Sequence, residues 1–202
     1  MASSILTIPN LLTLIRMALI PVFAILLFYG QFAWALFVFF FAGLSDGVDG
    51  FVARRFNQQS ELGTILDPIA DKLLMTTAFI ILTLPSIFPP TEPHLRHLPV
   101  PPWVTIAVIG RDILIIVVAA AIFIMTNFRG FKPSWLGKAS TVVQIFAVGL
   151  ILIAAILPSL RSFYLPTVYT IVFAFALFSG VHYIFHVAWL MKEEESKVKN
   201  KK

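Results

Sequence analysis

The chain contains no cysteine among its 202 residues. That excludes a disulfide framework, a thiolate metal site and a cysteine nucleophile, and it leaves the compartment open. Charge is scarce too: Asp, Glu, Lys and Arg make up 12% of the chain, about half the share of an ordinary soluble domain. Short alternating strands are lacking, which argues against a membrane barrel. The opening M-A-S-S-I-L-T-I-P-N has no basic n-region and no small-residue cleavage site follows it, so a cleaved signal peptide is not expected. No internal repeat of soluble-repeat length is evident.

What is present is apolar. Hydrophobic residues account for 59% and the mean hydropathy is +0.92, the composition of an integral membrane protein. Long runs of Leu, Ile, Phe and Ala broken by loops predict an all-α fold, a membrane bundle of six transmembrane helices. The expected spans are Leu11 to Tyr29, Phe32 to Val52, Ile65 to Leu84, Trp103 to Thr126, Lys138 to Leu157 and Leu165 to Leu190. Pro9, Gly30, the cluster Pro85 to Pro102, Gly130 to Pro133, Pro158 and Pro166 punctuate them. Met1 to Asn10 is expected as a short interfacial segment. Residues 1–191 form one membrane domain and 192–202 a charged tail that reads as a solvated helix end, its lysines within reach of anionic headgroups.

Lys and Arg are unevenly shared between the loops. With the N-terminus in the cytoplasm, one side collects Arg54, Arg55, Arg129, Lys132, Lys138, Lys192, Lys197, Lys199, Lys201 and Lys202, and the other only Arg96 and Arg161. The positive-inside rule therefore puts both termini in the cytoplasm. The net charge of +5 is accounted for by this placement, and no nucleic-acid partner is expected.

Against this background four aspartates stand out. The stretch from Asp46 runs D-G-V-D-G-F-V-A-R, then eight residues, Gly63, three residues, Asp67, three residues, Asp71. Asp46 and Asp49, and Asp67 and Asp71, each project from one face of a helix. Each carboxylate costs roughly 2.5 to 3.5 kcal/mol in a membrane segment, so four need a partner, and a divalent cation is the obvious one. Gly47, Gly50 and Gly63 allow close approach of a ligand or backbone, Ala53 keeps the face small, and Arg54 offers a planar cation for phosphate oxygens. Together they describe a site for a metal-bound diphosphate at the cytoplasmic ends of the second and third spans.

The ordered pattern resembles the signature of the CDP-alcohol phosphatidyltransferase family, D-x-x-D-G-x-x-A-R-x(8)-G-x-x-x-D-x-x-x-D. Asp46, Asp49, Gly50, Ala53, Arg54, Gly63, Asp67 and Asp71 match it, with Arg55 to Leu62 as the spacer. The resemblance implies a two-metal centre of magnesium or manganese on Asp46, Asp49 and Asp67, to which Asp71 contributes. It implies that Asp46, Gly47, Gly50, Ala53, Arg54, Gly63 and Asp67 seat the cytidine diphosphate of CDP-diacylglycerol, with Asp71 the candidate general base for the acceptor hydroxyl. It also implies a homodimer in a bacterial inner or cell membrane.

Elsewhere, Asn10, Thr13 and Arg16 fall three apart on one helical face in I-P-N-L-L-T-L-I-R, a run similar to the opening of bacterial members. Asn10 reads equally as an N-cap or a substrate-lining residue. Arg16 is expected to be functional; Lys72 either contacts substrate or snorkels to the headgroups. Arg111 and Asp112, deep in the fourth span, either pair as structural glue or put Arg111 against substrate, and the latter is favoured. Lys138, Thr141 and Gln144 share one face of the fifth span, so Arg111, Lys138, Lys72 and Arg16 are the candidate acceptor contacts. His182 and His186, four apart in the last span, read as packing or interhelical hydrogen-bonding residues in preference to a metal pair.

The runs D-P-I-A-D-K-L and S-W-L-G-K most resemble bacterial phosphatidylglycerophosphate synthases, which use glycerol 3-phosphate. Those enzymes tend to carry R-E and a second arginine two turns on; here Arg111-Asp112 precedes an apolar run with Ala119 at that place. The R-D pattern is more similar to the cardiolipin synthases, whose acceptor is phosphatidylglycerol. Other classes fit less well. A polyprenyl-transferring enzyme would want more spans, and a cation transporter has no need of glycines spaced to admit a nucleotide.

Overall fold

A computed structural model describes residues 8–56, 61–84, 100–126, 134–157 and 161–199, with side chains described over 11–45, 66–84, 100–122, 124, 134–157 and 164–192. The described residues form six α-helices and no strand: α1 (Ile8–Phe28), α2 (Phe32–Phe56), α3 (Glu61–Thr83), α4 (Pro102–Thr126), α5 (Trp135–Ile156) and α6 (Arg161–Lys199). Residues 1–7 of the expected interfacial segment lie outside the described residues.

Each helix covers one expected span, and the differences at the ends have local causes. Helix α5 starts at Trp135, three residues before the expected Lys138, because Ser134 caps it: the Gly137 amide donates to Ser134 Oγ at 3.1 Å. Helix α6 runs 39 residues to Lys199, well past the apolar limit at Leu190. Glu193, Glu195, Lys197 and Lys199 fall at the i, i+4 spacing that supports a helix in water, so the charged tail continues the last span. Helix α1 ends in a turn that Gly30 makes possible. Its φ is 67°, and the Gly30 and Gln31 amides donate to the Leu27 and Leu26 carbonyls at 3.1 and 2.8 Å. This closes the helix and sends the chain directly into α2.

Among the described residues, four helical stretches are long and apolar enough to cross a membrane, Leu11–Phe28, Pro102–Ile122, Trp135–Ile156 and Tyr164–Lys192, and the described apolar stretch of α2 runs over Phe32–Ser45. Helix α3 carries Glu61, Asp67, Asp71 and Lys72. Large apolar side chains point outward, among them Phe37, Phe40, Phe146, Phe178 and Phe185. Ala35, Ala42, Ala70, Ala78, Ala154 and Ala176 are fully buried, as are Thr13, Ser140 and Ser179. Small and hydroxylated residues inside, with many large apolar side chains outside, is the arrangement expected where lipid is the solvent and close packing holds helices together.

The chain divides into two compact units, one of Met1–Val100 and Val148–Leu165 and one of Pro101–Ala147 and Pro166–Lys202. Helices α1, α2 and α3 belong to the first, packed around Phe23, Leu27, Phe39, Leu74 and Phe79. There the Tyr164 hydroxyl donates to the Leu150 carbonyl at 2.8 Å, joining the start of α6 to the end of α5. In the second unit Trp103 meets Phe173 edge to face, ring centroids 4.9 Å apart. His182, His186 and Trp189 stack in sequence along α6. The buried His182 Nδ1 and His186 Nε2 make no hydrogen bond, so of the two expected roles these rings fill the packing one.

Candidate active site

Helix α2 carries Asp46, Gly47, Asp49, Gly50, Ala53 and Arg54 in its C-terminal half, and α3 carries Gly63, Asp67 and Asp71 in its N-terminal half. The helical backbone puts Asp46 with Asp49, and Asp67 with Asp71, on one side of its helix. The side chains of 46–54 lie outside the described residues, as does the surrounding of Gly63. Just before Asp46, the buried Ser45 hydroxyl donates to the Phe41 carbonyl at 2.8 Å, a bond that bends helices. In α3, Pro68 directly follows Asp67 and removes the helical hydrogen bond to the carbonyl four residues back, in the turn that leads into Asp67.

Both α3 carboxylates are held from α1. The Thr13 hydroxyl donates to Asp67 Oδ1, and Arg16 Nη1 donates to Asp71 Oδ1 at 3.2 Å. Thr13 and Arg16 are fully buried, whereas the Asp71 side chain is 46% exposed. Three residues forward along α1 match four forward along α3, so the two helices run parallel, and α1 packs against both α2 and α3. Sequence reasoning had put Arg16 among the acceptor contacts; the structure puts its guanidinium on the last aspartate of the pattern. Thr13 had been noticed on the same face without a role, and its spacing from Arg16 was the available signal.

Among the described residues no three His, Cys, Asp or Glu side chains form a cation cage; the side chains of Asp46 and Asp49 lie outside the described residues. The donors that are described fit a hard divalent cation. Asp67 and Asp71 are carboxylates on one helical face, each oriented through one oxygen by an α1 donor, as metal-ligating carboxylates characteristically are.

The remaining candidates lie apart in the chain. Lys72, next to Asp71, is exposed in the first unit, and Lys138 is exposed one turn into α5 in the second. Arg111, also in the second unit, is 8% exposed and committed to protein. Its Nη1 donates to Asp112 Oδ1 at 2.7 Å, its Nε and Nη2 to Ser179 Oγ at 3.1 and 2.9 Å, and Nη2 also to the Gly137 carbonyl at 3.2 Å. The sequence reading favoured a substrate-facing Arg111 over pairing with Asp112; the structure has the pairing, extended to α5 and α6. An acceptor phosphate would compete with these bonds for the guanidinium. Ser179 and Gly137 were missed as partners because they lie 68 and 26 residues away and carry no charge to signal the contact.

Residues 6–190 match the family model described as CDP-alcohol phosphatidyltransferase. The chain belongs to this family. It is 36% identical over 152 residues to a CDP-diacylglycerol--glycerol-3-phosphate 3-phosphatidyltransferase of Salmonella choleraesuis, covering 72% of this chain and 76% of that one. It is 33% identical over 195 residues to a cardiolipin synthase (CMP-forming) / mitochondrial hydrolase fusion protein of Schizosaccharomyces pombe, covering 89% of this chain and 31% of that one. It is 36% identical over 178 residues to a cardiolipin synthase (CMP-forming) of Rattus norvegicus, covering 79% and 54%. The chain thus spans about three quarters of the bacterial relative, about half of the rat one and under a third of the yeast fusion. This phosphatidyltransferase thus has relatives named as a glycerol-3-phosphate phosphatidyltransferase and as cardiolipin synthases, at similar identity.

Proposed function

We propose that the protein transfers the phosphatidyl group of CDP-diacylglycerol to the hydroxyl of glycerol 3-phosphate, releasing CMP and forming phosphatidylglycerophosphate. The observation that carries the donor and the chemistry is the complete aspartate–glycine–arginine pattern, its last two aspartates held on one face of α3 by α1; the runs I-P-N-L-L-T-L-I-R, D-P-I-A-D-K-L and S-W-L-G-K support glycerol 3-phosphate as the acceptor. Six membrane crossings, with both termini and the site on the cytoplasmic side, make a soluble nucleotide leaving group compatible with a lipid-anchored donor. Residues 1–191 act as one catalytic domain, in a homodimer in a bacterial inner or cell membrane.

In this reading Arg54 receives the diphosphate oxygens, while Gly47, Gly50, Ala53 and Gly63 leave room for the cytidine and its phosphates. The acceptor hydroxyl attacks the β-phosphorus. A new O–P bond forms, the bond from that phosphorus to the bridging oxygen breaks, and its electron pair leaves with CMP. Asp71, exposed on α3, takes the hydroxyl proton on its carboxylate. Magnesium or manganese held by Asp46, Asp49, Asp67 and Asp71 would supply neutralisation of charge developing on the diphosphate. Lys138 and Lys72 attract the acceptor's phosphate, and Arg111 fixes the Gly137 carbonyl one residue before Lys138.

A second reading, a cardiolipin synthase using phosphatidylglycerol, is favoured by one observation: Arg111-Asp112 leads into an apolar run with Ala119 in place of a further cation. An assay in detergent with CDP-diacylglycerol, magnesium or manganese, and each acceptor separately decides between them by the mass of the product. Phosphatidylglycerophosphate formed with glycerol 3-phosphate supports the first reading. Turnover with phosphatidylglycerol alone replaces it with the second, and ion flux without CMP release would favour the unrelated class of cation transporter.

A further inference from the structure

The Asp46–Asp71 pattern contains no residue of α1, yet both described carboxylates of the pattern are bonded to α1. Four other helical hydroxyls, on Ser45, Thr83, Thr141 and Thr170, donate to the carbonyl four residues back in their own helix, the usual local resolution for Ser and Thr. The Thr13 hydroxyl crosses to Asp67 on another helix. Arg16 is a fully buried guanidinium in an apolar helix, a placement that requires an anion, and its Nη1 is bonded to Asp71. The register is tight. Three residues along α1 advance about 4.5 Å and four along α3 about 6 Å, so a slip of one residue in either helix breaks both bonds.

We propose that Thr13 and Arg16 are positioning residues of the cation site. Thr13 fixes the Asp67 carboxylate for its cation. Arg16 is a resident counter-charge that orients Asp71 and offsets the carboxylates when no cation is bound. This rests on the reading of the aspartates as cation ligands, and it makes Arg16 a partner of Asp71 in place of a direct contact to the acceptor. Thr13 and the cation act on Asp67 together, whereas the Arg16 guanidinium and a cation partly substitute for each other as sources of positive charge at Asp71. The two residues therefore have different signatures.

The test uses Mn²⁺ alone as probe, with the purified full chain in detergent, reading Mn²⁺ affinity by electron paramagnetic resonance and thermal unfolding with and without Mn²⁺. Thr13→Val is expected to weaken Mn²⁺ binding about tenfold, the lower end of second-sphere effects, while leaving the melting temperature without cation unchanged; Thr13→Ser restores the affinity. Arg16→Gln is expected to lower the melting temperature without cation by several degrees and to recover most of the loss in saturating Mn²⁺. Arg16→Lys, which keeps the charge, falls between it and the parent. Wild-type Mn²⁺ affinity in Thr13→Val, or an Arg16→Gln loss that is the same with and without Mn²⁺, overturns the proposal while leaving the cation site standing. A parent protein that binds no Mn²⁺, or binds it equally well as Asp67→Asn, overturns the cation reading itself and the proposal with it.

Discussion

Gly137 has little room for a side chain, because both neighbours that would have to shift are held by hydrogen bonds. A Cβ there would lie 3.1 Å from Arg111 Nη2 and 3.1 Å from Ser134 Oγ, the atoms that bond its own carbonyl and amide. Gly→Ala within a helix ordinarily stabilises by about 1 kcal/mol, so a lowered melting temperature in Gly137→Ala would report the clash. We expect that loss, together with a higher KM for the acceptor and little change in KM for CDP-diacylglycerol. Asp46→Asn, Asp67→Asn and Asp71→Asn are expected to abolish turnover while the protein still purifies folded, measured as CMP release beside a thermal melt. An active Asp71→Asn would remove that residue from the proton-accepting role. The aspartates were legible in the sequence because spacing alone defines them. The partners of Arg111 were not: a buried arginine announces that it needs acceptors, and only folding shows that a serine hydroxyl and a backbone carbonyl provide them.

Among the helices, Arg111 acts as a cross-link from α4 to α5 and α6. Removing one member of a buried ion pair strands the other, at a cost of about 3 to 5 kcal/mol, whereas replacing both with apolar residues is often neutral. Arg111→Ala should therefore destabilise strongly by leaving Asp112 uncompensated, and Arg111→Met with Asp112→Leu should recover most of the loss in thermal unfolding. If Arg111 supports Lys138 through Gly137, the double variant regains stability but not acceptor affinity. The helices themselves were legible from apolar runs and proline or glycine breaks. Their ends were not, because a serine cap before α5 and the charged extension of α6 are set by polar spacing, to which hydropathy is blind.

For the whole molecule, the asymmetry of Lys and Arg gives a sidedness that the absence of cysteine makes simple to measure. A single cysteine placed by Ala2→Cys or Lys201→Cys should react with an impermeant maleimide only from the cytoplasmic side of sealed vesicles, and Thr91→Cys only from the opposite side. Labelling of Ala2→Cys and Lys201→Cys from opposite faces would mean an odd number of crossings and would sink the six-span reading. Family membership was legible from eight residues in fixed order. The acceptor was not, because its candidate cations are dispersed over separate helices and two of them, Arg16 and Arg111, are occupied by protein.

The bonds from α1 to α3 also bear on how the chain is made. Helix α3 carries Glu61, Asp67, Asp71 and Lys72, and each Asp or Lys within a span opposes insertion, by up to roughly 2.5 to 3.5 kcal/mol at its middle and less towards its ends. Helix α1 is apolar enough to enter on its own, and it leaves the ribosome first, carrying the hydroxyl and guanidinium that α3 will meet. Entry of α3 into the bilayer should thus depend on a helix synthesised some fifty residues earlier, making Thr13 and Arg16 a docking site for a nascent segment before they serve a finished enzyme.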